Sequence, residues 1–259
     1  MNRKLCVTLL LCLVFSLTAL ATVIVDPSRF VLVGPPGTRL TQSINVMNTG
    51  DAPVNLTAVL YDWVLDNQGK LQELPAGTLE DSLGASLKFS PRQFTLEPGQ
   101  TQVVRFTVEV PTDGIERKGI VFFEEELPIP GDQMGTTITT KIGATIYVAP
   151  EDATLAFEII DVNVALIDGS VYFLVEAVNQ GTAHIRFAID YKLQTATGSV
   201  LLHDSYSEQV LLPGKTSKLY YPVAAVPSGD YRLSLVFKFT GFDVTHEQAI
   251  AFRVLGSGS

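Results

Sequence analysis

The stretch Leu96-Glu97-Pro98-Gly99-Gln100-Thr101-Gln102-Val103-Val104-Arg105-Phe106-Thr107-Val108-Glu109-Val110-Pro111 decides the fold class. A Pro-Gly turn leads into a run in which Val104, Phe106, Val108 and Val110 share one face, while Arg105, Thr107 and Glu109 share the other. Pro111 then ends it, because proline cannot donate to a ladder. The apolar period is two, that of a half-buried strand, and not the 3.6 of a helix.

Outward from this stretch the same period recurs. On the amino-terminal side it covers 42–47 and 54–63, where Leu56, Ala58 and Leu60 alternate. On the carboxyl-terminal side it covers 119–125, 138–148, 155–164, 170–178, 185–193, 217–223, 231–239 and 245–254, with turn residues such as Asp66-Asn67-Gln68-Gly69 and Pro213-Gly214 between runs. No amphipathic helix of ordinary length interrupts the series. Many short strands at this spacing predict an all-β chain of two immunoglobulin-like sandwiches in tandem.

A weak internal repeat points the same way. Asn48-Thr49-Gly50, Pro98-Gly99-Gln100-Thr101 and Val110-Pro111 are echoed by Asn179-Gln180-Gly181, Pro213-Gly214-Lys215-Thr216 and Val226-Pro227. Each half closes a strand with an Asn/Gly turn, enters a long strand through Pro-Gly and leaves it at a proline. The expected domains are 22–150 and 151–255, divided near Ala149-Pro150-Glu151-Asp152, with Gly256-Ser257-Gly258-Ser259 as a flexible tail. Gly229-Asp230-Tyr231 has the form of a tyrosine corner.

The first residues set the compartment. Arg3 and Lys4 precede an apolar run, Leu5–Leu17, and Ala19-Leu20-Ala21 supplies small residues for a leader peptidase. The run is shorter than the roughly 20 residues that span a bilayer, so 1–21 is expected to be a signal peptide cleaved after Ala21, and the only membrane contact is through it. Cleavage removes Cys6 and Cys12 and leaves 16 basic against 27 acidic residues, a net charge of −11. Such a chain has no electrostatic attraction to nucleic acid, no disulfide and no thiolate chemistry. His184, His203 and His246 are too scattered to suggest a zinc site, and no cofactor or metal is expected.

With these features in place, the first half resembles the amino-terminal domain of periplasmic pilus chaperones of the chaperone/usher pathway. The resemblance is carried, in order, by Asp26, Ser28 and Arg29 in an opening strand, Asn48-Thr49-Gly50-Asp51-Ala52-Pro53, Phe89-Ser90-Pro91-Arg92-Gln93-Phe94-Thr95-Leu96-Glu97-Pro98-Gly99-Gln100, Val104-Arg105-Phe106 and Glu126-Leu127-Pro128. It covers about residues 22 to 150. The second half is only generically immunoglobulin-like.

The resemblance implies a protein partner, a pilus-like surface subunit lacking its last strand, and an outer-membrane usher. The chaperone caps the subunit by lending a strand, with backbone bonds for affinity and side-chain pockets for specificity. The candidate donor strand is 136–148, with Ile138, Thr140, Ile142, Ala144 and Ile146 on one face. An ordinary last strand covering its own core has the same alternation, and both readings stand. The resemblance also implies that Arg29 and Lys141 anchor the subunit's terminal carboxylate between the domains. Lys141, the one basic residue of the candidate strand, stands about two positions from the family's lysine. Gly143 and the many threonines depart from the family's denser apolar series.

No motif of an enzyme accompanies this. There is no nucleophile elbow, phosphate loop or dinucleotide fingerprint. Glu124-Glu125-Glu126 cannot converge from alternating faces and is expected to form a solvated edge; Asp161 and Asp168 stand apart from any partner motif. Asp66–Gly69 is expected to be a hairpin turn and not a calcium loop, Asn55-Leu56-Thr57 is a glycosylation sequon by pattern alone, and Trp63 is expected in the first core. The reading is a non-enzymatic, periplasmic or otherwise exported chaperone. The alternative is a secreted or cell-surface adhesion or cell-wall-binding module with no chaperone activity.

Overall fold

The computed structural model describes residues 23–66, 69–128, 137–241 and 245–255. The expected signal peptide with its cleavage after Ala21, most of the loop following Pro128 and the tail 256–259 lie outside these residues. Among the described residues the chain is all strand and turn. The strands are β1 (Val23–Asp26), β2 (Arg29–Gly34), β3 (Arg39–Asn48), β4 (Val54–Leu65), β5 (Leu71–Pro75), β6 (Leu87–Ser90), β7 (Gln93–Leu96), β8 (Thr101–Glu109), β9 (Arg117–Pro128), β10 (Thr137–Pro150), β11 (Phe157–Ile167), β12 (Ser170–Asn179), β13 (Ile185–Thr195), β14 (Val200–Leu211), β15 (Thr216–Ala225), β16 (Gly229–Phe239) and β17 (Thr245–Val254).

They form two immunoglobulin-like β-sandwiches. In the first, β1-β3-β8-β6 faces β2-β10-β9-β4-β5, with β7 also paired to β4; in the second, β11-β12-β15 faces β14-β13-β16-β17. The chain changes sheets between β1 and β2 at Asp26-Pro27 and between β6 and β7 at Ser90-Pro91, where a missing N–H ends each ladder. The decisive run behaves as its alternation requires. Val104, Phe106, Val108 and Val110 are buried in the first core with Ile44 and Phe123. In the second core Val171, Phe173, Val175 and Ala177 alternate in the same way along β12.

The two halves repeat one hydrogen-bond device. Asn48 Nδ2 donates to Ala52 O at 2.8 Å and Leu96 O at 3.0 Å, its Oδ1 accepts Gly50 N–H, and its carbonyl accepts Gly99 N–H, both at 2.9 Å. Asn179 Nδ2 donates to Ala183 O and Leu211 O, its Oδ1 accepts Gly181 N–H, and its carbonyl accepts Gly214 N–H, all at 2.9 Å. A buried asparagine amide thus ties the end of one strand to the Pro-Gly turn in each sandwich. Tyr231 Oη donates to Pro227 O at 2.8 Å, the bond of a tyrosine corner. Asp66 closes the β4–β5 hairpin by accepting Gly69 N–H at 2.9 Å.

Trp63 lies elsewhere than expected. It is buried in a third cluster with Ile120 and Tyr147 of the first sandwich and Leu212 of the second, flanked by Val210. Its position in β4 puts it on the outer face of the sheet, and the second sandwich covers that face. Glu124 also differs from the expected solvated edge. It belongs to β9, an interior strand, where it faces Thr57 on one side and Lys141 on the other. Glu125 and Glu126 lie beyond the last β4 partner, on a β9–β10 hairpin that projects from the body of the sheet.

Candidate functional site

β10 is paired unevenly along its length. On one side β9 covers Thr137–Val148 without a break in register. On the other, parallel β2 begins only at Thr145, opposite Arg29, and runs to Pro150. From Thr137 to Ala144 that second edge has no strand partner among the described residues. Thr145 N–H donates to Ser28 O at 3.0 Å, which fixes which residues point to the β2 side. By strand alternation the N–H and C=O of Thr137, Thr139, Lys141 and Gly143 face the open edge.

The candidate donor residues divide along this strand. Ile138, 55% exposed, and Thr140 stand outside the core; Ile142 is half-buried against it; Ala144 and Ile146 are fully buried within it. The open edge and the outward apolar side chain therefore coincide over the amino-terminal half of β10, while its carboxyl-terminal half completes its own sandwich. Gly143 has a positive reason to be glycine. A Cβ there would stand 2.7 Å from the Phe122 ring and 2.8 Å from Val121 O, so the bare backbone lets Phe122 of β9 lie across β10.

Lys141 is engaged within its own domain. Its Nζ lies 3.0 and 3.1 Å from the Glu73 carboxylate oxygens, 3.1 Å from Glu124 Oε1 and 4.5 Å from the centre of the Tyr61 ring. Burial pulls its pKa down, but the bonds to Glu73, Glu124 and Tyr61 more than offset this and hold the ammonium above its ordinary value. Tyr61 Oη donates to Glu124 Oε1 at 2.8 Å; that bond, then burial, raises the phenol above its ordinary value. Lys141 and Arg29 are not brought together. Arg29 is level with Thr145, four residues from Lys141 along β10, roughly 13 Å at about 3.3 Å per residue.

Arg29 meets a different partner. Its guanidinium donates to Glu208 Oε2 of β14 at 2.5 Å, and Arg186 of β13 donates to the same oxygen at 2.5 Å and to Glu208 O at 3.3 Å. Hydrogen bonds from Arg186 and Arg29 hold the Glu208 carboxyl below its ordinary range. Beside this clasp Tyr147 stacks on His184 at 3.9 Å, and burial pushes its phenol up to about 12 against the smaller opposing pull of the Arg186 cation. His184 reaches across to Glu116, so the two sandwiches are tied at two points.

Arg186, Glu208 and Glu116 were not among the residues singled out from the sequence, and His184 was considered there only as a metal ligand. Arg186 occupies an outward position in the β13 alternation, a signal shared with every solvated strand residue. Glu208 sits where the β13–β14 register slips between Phe187 and Ile189, a shift that periodicity does not foretell.

Several solved structures similar to this chain are fimbrial chaperones. The class 5 fimbriae chaperone CfaA is 12% identical, the match covering 90% of this chain and 99% of CfaA, with a TM-score of 0.46. A chain of the CsuC–CsuE chaperone–tip adhesion subunit pre-assembly complex from the archaic chaperone-usher Csu pili of Acinetobacter baumannii is 14% identical, with coverage of 88% and 98% and a TM-score of 0.44. A chain of the Salmonella enterica SafA pilin–SafB chaperone complex is 15% identical, with coverage of 90% and 98% and a TM-score of 0.42. No protein-family model and no curated protein matches the sequence.

Proposed function

We propose that this chain is a non-enzymatic, exported chaperone of surface-fibre subunits, built from a first domain of residues 22–150 and a second of 151–255. It acts in the periplasm after loss of residues 1–21, and it caps a subunit by pairing the open β10 edge with the subunit's exposed strand. The single observation that carries this is the edge Thr137–Ala144, which has no strand partner among the described residues and ends beside Arg29. Unpaired N–H and C=O groups in a row are a template for strand addition, and natural sheets seldom leave one of this length open without a use for it. Ile138 offers an exposed apolar side chain to the added strand, and Arg29 offers a two-bond fork to a carboxylate.

An end at Arg29 would also set the direction of the added strand. A strand whose last residue stops at Arg29 lies in line with β2, so it runs parallel to β10 as β2 does. The test is capture from the native envelope by tagged mature protein, with and without Arg29→Ala, followed by mass spectrometry. Recovery of a small β-rich surface protein by the wild type, and its loss from the folded variant, is the expected result. Recovery of wall material by both proteins alike would replace the chaperone with a surface-binding module, and both coming down alone would remove strand donation.

A further inference from the structure

Two arginines from different domains share one carboxylate oxygen where the sandwiches meet. Arg29 opens β2 and Arg186 lies in β13, yet both stand 2.5 Å from Glu208 Oε2. A carboxylate has lone pairs for about four hydrogen bonds, and two guanidinium forks can supply them all, whereas Glu208 takes both forks on a single side-chain oxygen. The Arg186 side chain is 15% exposed, that of Arg29 42% and that of Glu208 62%, so Arg186 lies deepest and the anion is laid on the pair from the solvent side.

Glu208 is held there at some cost. Its φ of +61° is in the left-handed region, unfavourable for a residue with a Cβ. Ser207 and Glu208 together oppose Ala188, because Phe187 pairs with Gln209 and Ile189 with Tyr206. Such a bulge re-aims a side chain, and here it aims a carboxylate out of an edge strand onto two arginines. A hollow of about 210 Å³ beside it, lined by Arg186, Ser207, Glu208 and Lys238, leaves the side chain room to swing aside.

We propose that Arg29 and Arg186 together make a carboxylate site between the two sandwiches, and that Glu208 is an internal occupant which a partner strand's C-terminal carboxylate displaces. This rests on the reading of the β10 edge as a strand-addition site. The position agrees with that reading, because the open edge ends where β2 begins at Arg29, so the last residue of an added strand arrives at the clasp. Joining one arginine from each domain to the same ligand also makes binding depend on the two sandwiches being docked.

The test is calorimetric titration of the mature protein with an acetylated synthetic peptide of alternating valine and threonine, in two forms, free acid and C-terminal amide. The wild type is expected to prefer the acid. Glu208→Gln is expected to bind the acid about tenfold more tightly with the amide unchanged, and Arg186→Ala to lose most of the preference. Unchanged or weaker acid binding by Glu208→Gln, or full preference in Arg186→Ala, overturns the proposal; loss of preference in Arg29→Ala alongside either result leaves strand capping with Arg29 as sole anchor. Absence of preference in every protein, Glu208→Gln included, removes both. Should Arg186→Ala fail to fold, the arginine side-chain N–H resonances of the wild type decide: Arg29 and Arg186 both shift with the acid and not the amide, whereas movement of Arg29 alone refutes the shared site.

Discussion

Glu116 of the first sandwich holds His184 of the second with both carboxylate oxygens: Oε1 accepts the His184 main-chain N–H at 3.1 Å and Oε2 lies 2.7 Å from Nδ1. Both side chains are buried, and Glu116 N–H in turn donates to Thr182 O at 2.9 Å. Removing the imidazole leaves a buried carboxylate short of a partner and strips the stack from Tyr147. His184→Ala is expected to cost about 3 kcal/mol. Urea unfolding followed by the fluorescence of Trp63, buried in the same seam, checks this. Unchanged stability would mean that the apolar seam alone docks the domains.

The repeated asparagines predict matched losses. Asn179→Ala abandons two buried carbonyls and a turn N–H, and Asn48→Ala one buried carbonyl, one part-buried carbonyl and a turn N–H, so each is expected to cost roughly 2–4 kcal/mol at about 1 kcal/mol or more per orphaned group. Thermal unfolding of the two variants should show shifts of similar size. A large loss at one and none at the other would break the equivalence.

At Gly143 the expected effect is steric. Gly143→Ala drives a methyl group into the Phe122 ring and the Val121 carbonyl, and that ring lies 5.8 Å from Lys141 Nζ and packs edge-on against Tyr61. A loss of about 1–3 kcal/mol is expected from overpacking, read by calorimetry. A variant as stable as the wild type would show that the β9–β10 hairpin shifts freely.

The open edge can be closed without touching the core. Thr139 points its N–H away from β9, so Thr139→Pro removes a donor from the free side and leaves the β9 ladder intact. The fold should change by no more than about 1 kcal/mol, while capture of the envelope partner falls away. Undiminished capture would place the partner elsewhere on the molecule.

The clasp carries a pH dependence of definite sign. The Glu208 carboxyl is held below its ordinary value of 4.5 in the folded protein, so its contribution is fully present above that value and is lost as pH falls through the lower, folded one. The side chain is mostly exposed, which keeps the term small, on the order of 1 kcal/mol or less. The stability difference between wild type and Glu208→Gln should be constant above 4.5 and shrink below it. A difference that grows on acidification would reverse the assignment.

The strands with one face buried were legible because alternation is written locally: β8, β12, β13 and β16 each bury every second residue. β14 was not, although it runs for twelve residues. Its pairing with β13 slips twice, and each extra residue flips the apolar side chains to the other face, so no single period describes it. The same slip hid Glu208. Trp63 looked like an ordinary core residue because a side chain covered by its own opposing sheet and one covered by a second domain leave the same pattern in the sequence.

By itself the sequence determined the period of two, the Asn/Gly and Pro-Gly turns and the duplication, since these depend on neighbours a few residues apart. Only the tertiary structure decided which edge of β10 is open and which charges meet between the sandwiches. A strand with one partner alternates like a strand with two, and Arg29 and Glu208 are 179 residues apart in the chain, brought to 2.5 Å by the docking of two separately built sandwiches.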